Sequence, residues 1–88
     1  MLTTDQKVCV VGLGYVGLTL AMHAARNGYE VHGIEILDDT YNVIAAGSTH
    51  FHEPGLDELL KLSINKNFYA HKSIPENEDF DIFIITVG

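Results

Sequence analysis

Three glycines with the spacing G-x-G-x-x-G, Gly12, Gly14 and Gly17, are the residues of this sequence best suited to chemistry. Such a turn, placed between a strand and a helix, lets a diphosphate approach the backbone, because glycine has no Cβ in the way. Free backbone N–H groups and the positive end of the helix dipole can then hold the anion without a basic side chain. Short glycine patterns also arise by chance, so the weight of this one depends on the elements around it.

A carboxylate follows the glycine turn at a spacing typical of dinucleotide-binding sites. Glu35 lies 18 residues after Gly17, close to the spacing of about 20 at which an acid binds the ribose of a dinucleotide. An acid there would repel a 2′-phosphate, and no Lys or Arg stands nearby in the sequence to receive one. The two motifs predict a site that prefers NAD to NADP. A ligand-free glycine turn and a solvated acid at a strand end remain open as alternatives.

The segments around these residues alternate between strand and helix patterns. Apolar, β-branched runs predict strands over 7–11, 30–36 and 81–87, and a weaker one over 67–70. Helical spacing predicts helices over 15–27, over 38–45 with Asp38 and Asp39 as the cap, and from Pro54 to 62, with a helical turn over 73–76.

This alternation implies parallel strands joined by right-handed crossovers. The predicted fold class is α/β, a Rossmann-like doubly wound parallel sheet with three α/β/α layers. Residues 1–88 would hold only its N-terminal, mononucleotide-binding half, with no second domain.

Composition excludes several other classes of protein. Eighty-eight residues, 47% of them apolar, suffice for one small domain or part of a larger one. The net charge of −7 repels phosphate backbones and anionic membranes, so neither nucleic acid nor a membrane is an expected partner. No apolar run reaches the ~18 residues of a membrane helix, and the N-terminus lacks the apolar core of a signal peptide. With its single cysteine, the chain is predicted to be cytoplasmic.

Three segments resemble the N-terminal domain of the UDP-glucose/GDP-mannose dehydrogenase family. They are 10–18 with Gly-Tyr-Val-Gly-Leu, 53–60 with Glu-Pro-Gly-Leu, and 81–88, within a similarity that runs over about 7–88. The resemblance implies an enzyme that oxidises the C6 alcohol of a UDP- or GDP-sugar to the uronate, with two NAD per turnover and a thiohemiacetal on a cysteine. Its nucleophilic cysteine and the supporting Lys, Asn and Asp belong to segments downstream in the family. We therefore expect no catalytic residue in this chain, and weak cofactor binding without catalysis by the chain alone.

The same resemblance assigns roles to residues. The glycine turn would hold the pyrophosphate, Tyr15 and Val16 would line the cofactor, and Glu35 would take a ribose position that is usually Asp. Thr40 stands where the family often has Lys or Arg on the adenosine side. The expected cofactor-binding residues are Gly12, Gly14, Tyr15, Val16, Gly17, Glu35, Val87 and Gly88.

Two other functions would use similar motifs. A non-catalytic NAD(H)-sensing regulatory domain shares the glycine turn and the acid, and a 3-hydroxyacid or 6-phosphogluconate-type dehydrogenase shares the turn. The Glu-Pro-Gly-Leu segment at 53–56 argues against both.

The remaining reactive residues predict structure. Cys9, inside the first strand, is expected in the core. His50 and His52 could reach one metal ion, but no third ligand is evident, and we predict no metal site. His32 and His71 have no partner in the sequence. The strand over 81–87 is apolar on both faces, which predicts a truncated domain that forms homo-oligomers through this edge.

Overall fold

A computed structural model describes residues 5–86, which form a four-stranded parallel sheet and three helices. The strands are β1 (Lys7–Val11), β2 (Glu30–Ile34), β3 (Phe68–His71) and β4 (Ile82–Ile85). The helices are α1 (Tyr15–Arg26), α2 (Asp38–Ala45) and α3 (Leu56–Ser63). The strand order β3-β2-β1-β4 is that of a doubly wound sheet at its reversal point, so the predicted fold class is confirmed.

One face of the sheet forms the hydrophobic core. Val8 is in register with Val31 on β2, and Val31 with Phe68 on β3, so these side chains line up on the same face. Leu18 and Met22 of α1, Ile44 of α2 and Leu60 of α3 are fully buried in the same cluster. All three helices therefore cover this face.

The opposite face is covered differently. The segment 72–81 that joins β3 to β4 brings the Phe80 ring against His32 and Phe83, with centroid distances of 5.1 and 5.6 Å. Cys9 on this face is fully buried, as predicted, and burial raises the pKa of its thiol. Residues 5–86 contain no helix on this face, so the third layer stays a prediction. No helix in the same range is long and apolar enough to cross a membrane.

Three local predictions are wrong. Asp38 and Asp39 do not cap α2 but lie in its first turn, where their charges face the positive end of the helix dipole. Pro54 precedes α3 in a turn, and the cap is Gly55 with φ +83°, a left-handed conformation that favours glycine. Residues 73–76 form a bend and a turn instead of a helical turn.

Candidate functional site

The glycine turn is closed by its first and third glycines. Gly12 has φ +92°, and a Cβ there would lie 2.5 Å from the carbonyl oxygen of Thr86. A Cβ on Gly17 would lie 1.7 Å from the carbonyl oxygen of Gly12. Neither position can accept a side chain, because one contact is with the backbone after β4 and the other with the backbone of the turn that joins β1 to α1.

The middle glycine opens the turn. A Cβ on Gly14 would meet no heavy atom within 4 Å, and the backbone of Gly14 is extended, with φ −70° and ψ −164°. Gly14 is the N-cap of α1, so the N–H groups that follow it belong to the first helical turn, which has no partners for them within the helix. The space and the donors that an anion needs therefore meet at this residue.

A cleft of about 520 Å³ lies at the carboxyl end of the sheet, in front of this turn. It brings together six of the predicted residues, and Val87 and Gly88 lie outside the described residues. Its walls also include Ile36 and Leu37, which are 76% and 63% exposed. The cleft is lined by Gly12, Gly14, Tyr15, Val16, Gly17, Glu35, Ile36, Leu37 and Thr86.

Glu35 is buried, and it connects the two sides of the cleft. The backbone N–H of Leu13 donates to its Oε1 and that of Leu37 to its Oε2, both at 3.0 Å. The carboxylate is thus fixed between the glycine turn and the segment before α2. A carboxylate offers about four acceptor positions, so Glu35 retains free positions that could accept hydrogen bonds from the hydroxyls of a ribose. The bracing role was not predicted from the sequence.

Thr86 is a cleft residue that the sequence analysis did not single out. Its hydroxyl donates to the carbonyl oxygen of Gly12 at 2.9 Å, with that of Val11 at 3.3 Å, and so ties the end of β4 to the glycine turn. The signal was a hydroxyl residue at the end of an otherwise apolar strand. In a parallel sheet, that end lies at the edge where ligands bind.

A basic side chain lies closer to Glu35 in the structure than the sequence suggests. The sequence shows no basic residue near Glu35, yet the structure brings Lys72 into an ion pair with Asp38. The backbone explains this proximity, since the N–H of Glu35 donates to the carbonyl of His71 at 2.9 Å. A cation therefore lies near the Glu35 side of the cleft, where it is paired with the carboxylate of Asp38.

Tyr15 joins the cleft to the loop before α3. Its ring packs edge-on against Phe51, with centroids 5.0 Å apart, and its hydroxyl donates to Glu53 Oε2 at 3.2 Å. That hydrogen bond and the charge of Glu53 raise the pKa of the phenol. Glu53 also lines a second cavity of about 290 Å³ beside α1, together with His23 and Arg26. Tyr15 and Glu53 thus stand between the two cavities.

The two histidines without partners in the sequence meet on the sheet face opposite the three helices. His32 Nδ1 lies 2.8 Å from His71 Nε2, and His32 Nε2 lies 2.7 Å from Glu30 Oε2. Lys7 Nζ completes the group, at 2.7 Å from Glu78 Oε2 and 3.7 Å from Glu30 Oε2. We call Lys7, Glu30, His32, His71 and Glu78 the histidine cluster.

The histidine cluster has its own internal cation. Glu30, His32 and Glu78 offer metal-ligating atoms within 4.8 Å of one another, but the ammonium of Lys7 already lies against both carboxylates. Among residues 5–86, the predicted metal candidates His50 and His52 join no such group. Ion pairing within the protein accounts for this cluster.

The cleft fits the cofactor that the sequence motifs indicate. A diphosphate has open space at Gly14 and N–H donors at the start of α1. An adenosine ribose would have the fixed carboxylate of Glu35, and the exposed side chains of Ile36 and Leu37 offer apolar surface beside it. The binding roles of these residues are inferred from this geometry.

Residues 6–88 match the family described as the UDP-glucose/GDP-mannose dehydrogenase family, NAD binding domain. A UDP-N-acetyl-D-mannosamine dehydrogenase of Methanococcus vannielii is 44% identical over 82 residues, which are 93% of this chain and 19% of that protein. Among solved structures, the UDP-N-acetyl-mannosamine dehydrogenase Cap5O of Staphylococcus aureus is 35% identical with a TM-score of 0.81. GDP-mannose dehydrogenase of Pseudomonas aeruginosa, solved as a ternary complex, is 29% identical with a TM-score of 0.83.

Both structures cover 92% of this chain, which spans 19% of each. The family match over residues 6–88 includes the glycine turn, Glu35 and all four strands, and the cofactor of the matched family is the one that the two sequence motifs predict. On these grounds the chain belongs to the UDP-glucose/GDP-mannose dehydrogenase family and corresponds to its NAD-binding domain.

Proposed function

We propose that this chain binds the ADP-ribose half of NAD for a dehydrogenase that oxidises the C6 alcohol of a UDP- or GDP-sugar to the uronate. The observation that carries the proposal is the open backbone at Gly14, in a cleft whose other side holds the fixed carboxylate of Glu35. The start of α1 would bind the pyrophosphate, and Glu35 would bind the adenosine ribose.

The residues of this chain would bind and orient the cofactor, and the cofactor would accept the electrons of the reaction. NAD accepts hydride, and oxidation of a primary alcohol to a carboxylate with one water delivers two hydrides to two NAD and releases three protons. Thr86 and Glu35 would hold the glycine turn in its binding conformation, as their hydrogen bonds to Gly12 and Leu13 indicate. We expect no sugar oxidation by the chain alone.

The substrate class rests on the relatives. The proteins that this chain matches are named for UDP-N-acetylmannosamine and GDP-mannose, and the chain spans 19% of their length. We therefore propose a nucleotide sugar as substrate of the whole enzyme. We also propose the cytoplasm as its compartment, because the single cysteine of this chain is typical of a reducing environment.

Calorimetry with ADP-ribose tests the binding site. We expect weak binding by the wild type and at least tenfold weaker binding, about 1.4 kcal/mol, by Gly14→Val. The new side chain would enter the space of the phosphates, and the extended backbone of Gly14 accommodates it. Ala45→Val is the control, because Ala45 is exposed on α2 and does not line the cleft.

Equal affinities of wild type and Gly14→Val would refute the glycine-turn assignment. Equal thermal stabilities of the two variants would show that the loss of binding is local. Formation of NADH by the chain with UDP- or GDP-sugars would contradict the expectation that it lacks catalytic residues.

Self-association through β4 stays a prediction. Phe83 and Ile85 of this strand are 52% and 72% exposed, which supports it. Sedimentation velocity at increasing concentration should show dimers or larger species, and Ile85→Lys should shift the distribution towards monomer. A monomer at every concentration would refute this prediction.

A further inference from the structure

The segment 50–56, which contains the Glu-Pro-Gly-Leu motif, lies outside the cleft and contacts it through Tyr15. Within residues 5–86, its one hydrogen bond to a cleft residue runs from the Tyr15 hydroxyl to Glu53 Oε2, at 3.2 Å. Phe51 of the same segment contacts the Tyr15 ring at an interplanar angle of 80°. The side chains of Phe51 and Glu53 thus hold Tyr15, a residue of the cleft wall, in place.

Tyr15 needs such support because it is 53% exposed. A half-exposed aromatic side chain without an anchor samples several rotamers, and binding a ligand against it must then restrict that motion. With its ring on Phe51 and its hydroxyl on Glu53, Tyr15 is already ordered before the ligand arrives.

We propose that Glu53 is a positioning residue that acts through Tyr15 to preorganise the cofactor cleft. The inference rests on the proposed function, since it concerns the same site. It assigns a use to the Glu-Pro-Gly-Leu segment beyond starting α3. The loop before α3 and the glycine turn are then two parts of one binding site, joined at the Tyr15 hydroxyl.

Electrostatics and positioning predict opposite signs for the loss of Glu53. The ligand is an anion and the chain carries a net charge of −7, so deletion of a nearby carboxylate that does not itself bind the ligand should strengthen binding. If Glu53 acts by ordering Tyr15, its deletion should weaken binding despite the favourable change in charge. The sign of the effect therefore separates the two roles.

The experiment measures ADP-ribose affinity by calorimetry for Glu53→Ala, Glu53→Gln, Tyr15→Phe and the double variant Glu53→Ala/Tyr15→Phe. We expect Glu53→Ala and Tyr15→Phe each to weaken binding by about two- to tenfold, as expected when one side chain must be ordered on binding. Glu53→Gln should retain most of the affinity, because its amide oxygen can accept the same hydrogen bond. The double variant should bind no worse than either single one.

Glu58→Ala is the charge-matched control, since Glu58 is an exposed acid on α3 that does not line the cleft. It should leave the affinity unchanged or raise it slightly. A phenol titration provides a second readout. The high-pKa phenol that Tyr15→Phe removes should titrate at lower pH in Glu53→Gln, because the carboxylate that raises its pKa is absent.

The outcomes distinguish this inference from the function on which it rests. If the wild type binds ADP-ribose and Gly14→Val does not, while Glu53→Ala binds as well as or better than the wild type, the positioning role is refuted and the proposed function stands. Additive losses in the double variant would also refute it, because Glu53 would then act independently of the Tyr15 hydroxyl. If the wild type fails to bind ADP-ribose, the proposed function and this inference both fall.

Discussion

The cofactor cleft and the histidine cluster are both built on the same four strands, yet they assemble in different ways. The cleft depends on residues 12–17, which are contiguous, and on Glu35. The histidine cluster combines residues from four parts of the chain. Lys7 belongs to β1, Glu30 and His32 to β2, His71 to β3, and Glu78 to the segment 72–81.

The two regions also differ in how their polar groups are used. In the cleft, the space in front of Gly14 is open and the carboxylate of Glu35 has acceptor capacity beyond its two backbone contacts. In the histidine cluster, each charge has a partner: Lys7 with Glu78, and Glu30 with His32. Polar groups with unused hydrogen-bonding positions at the edge of a sheet are typical of a binding site. Polar groups that satisfy one another's hydrogen bonds and charges are typical of a structural network. Perturbing the first should change binding, and perturbing the second should change stability.

The largest effect is expected from Gly17→Ala. The added Cβ would lie 1.7 Å from the carbonyl oxygen of Gly12, and such a clash with the backbone should cost at least ~3 kcal/mol of unfolding free energy. Gly14→Ala is the control. Its free energy of unfolding should lie within ~1 kcal/mol of the wild-type value, because the added Cβ meets open space. Urea denaturation of the two variants measures the difference, and equal midpoints would contradict the tight turn.

His32→Leu should separate stability from binding. His32 is 4% exposed and hydrogen bonded on both ring nitrogens, and removal of such a network costs ~1–3 kcal/mol. Because His32 does not line the cleft, ADP-ribose affinity should stay within twofold of the wild type, a difference of about 0.4 kcal/mol. A large loss of affinity in a folded variant would show that the two regions are coupled.

Glu35→Gln and Asp38→Asn test the charges at the proposed ribose position. Loss of the Glu35 carboxylate should narrow the preference for ADP-ribose over its 2′-phosphate by about tenfold, or ~1.4 kcal/mol, since like-charge repulsion is removed. Asp38→Asn should act in the same direction but less, by freeing Lys72.

Calorimetry with both ligands measures these ratios. Glu35→Ser should narrow the preference as well, but it removes the acceptors of both the Leu13 and the Leu37 N–H groups. Glu35→Gln keeps an acceptor for one of the two and is therefore the less disruptive variant. An unchanged ratio in Glu35→Gln would remove this residue from the cofactor preference.

The smallest effect is expected from pH. Burial, followed by the neighbouring His32, lowers the pKa of His71 below its ordinary value of 6.5. The unfolded chain therefore takes up a proton that the folded chain resists, and the free energy of unfolding should fall as the pH drops below 6.5. Comparing unfolding at about pH 7.5 and 5.5, His71→Gln should lose less stability than the wild type. An equal loss would mean that other groups carry the pH dependence. The hydrogen bond from Lys7 lowers the pKa of Glu78 below its ordinary value of 4.5, so the stability that Glu78 contributes is present at both pH values compared and is lost only in more acidic solution.

Much of the cleft was predictable because its signals are local. A β-branched run, three spaced glycines and a helical pattern follow one another within residues 7–27, and each follows from short-range sterics and hydrogen bonding. The spacing to Glu35 reflects the length of one helix and one strand. The fold class followed from the same alternation, although the cap of α2, the start of α3 and the turn over 73–76 did not. Those ends depend on contacts that a residue's own propensity does not reveal.

Local sequence patterns were enough to predict the parallel α/β architecture, the glycine turn and the acid that follows it, since these depend on backbone geometry over short stretches. Four contacts became visible only in the folded chain: Thr86 holds the turn, Lys72 pairs with Asp38, Tyr15 donates to Glu53, and His32 meets His71. The partners in these contacts lie 34 to 74 positions apart. Strand order and register bring them together, and no local pattern of side chains encodes that distance.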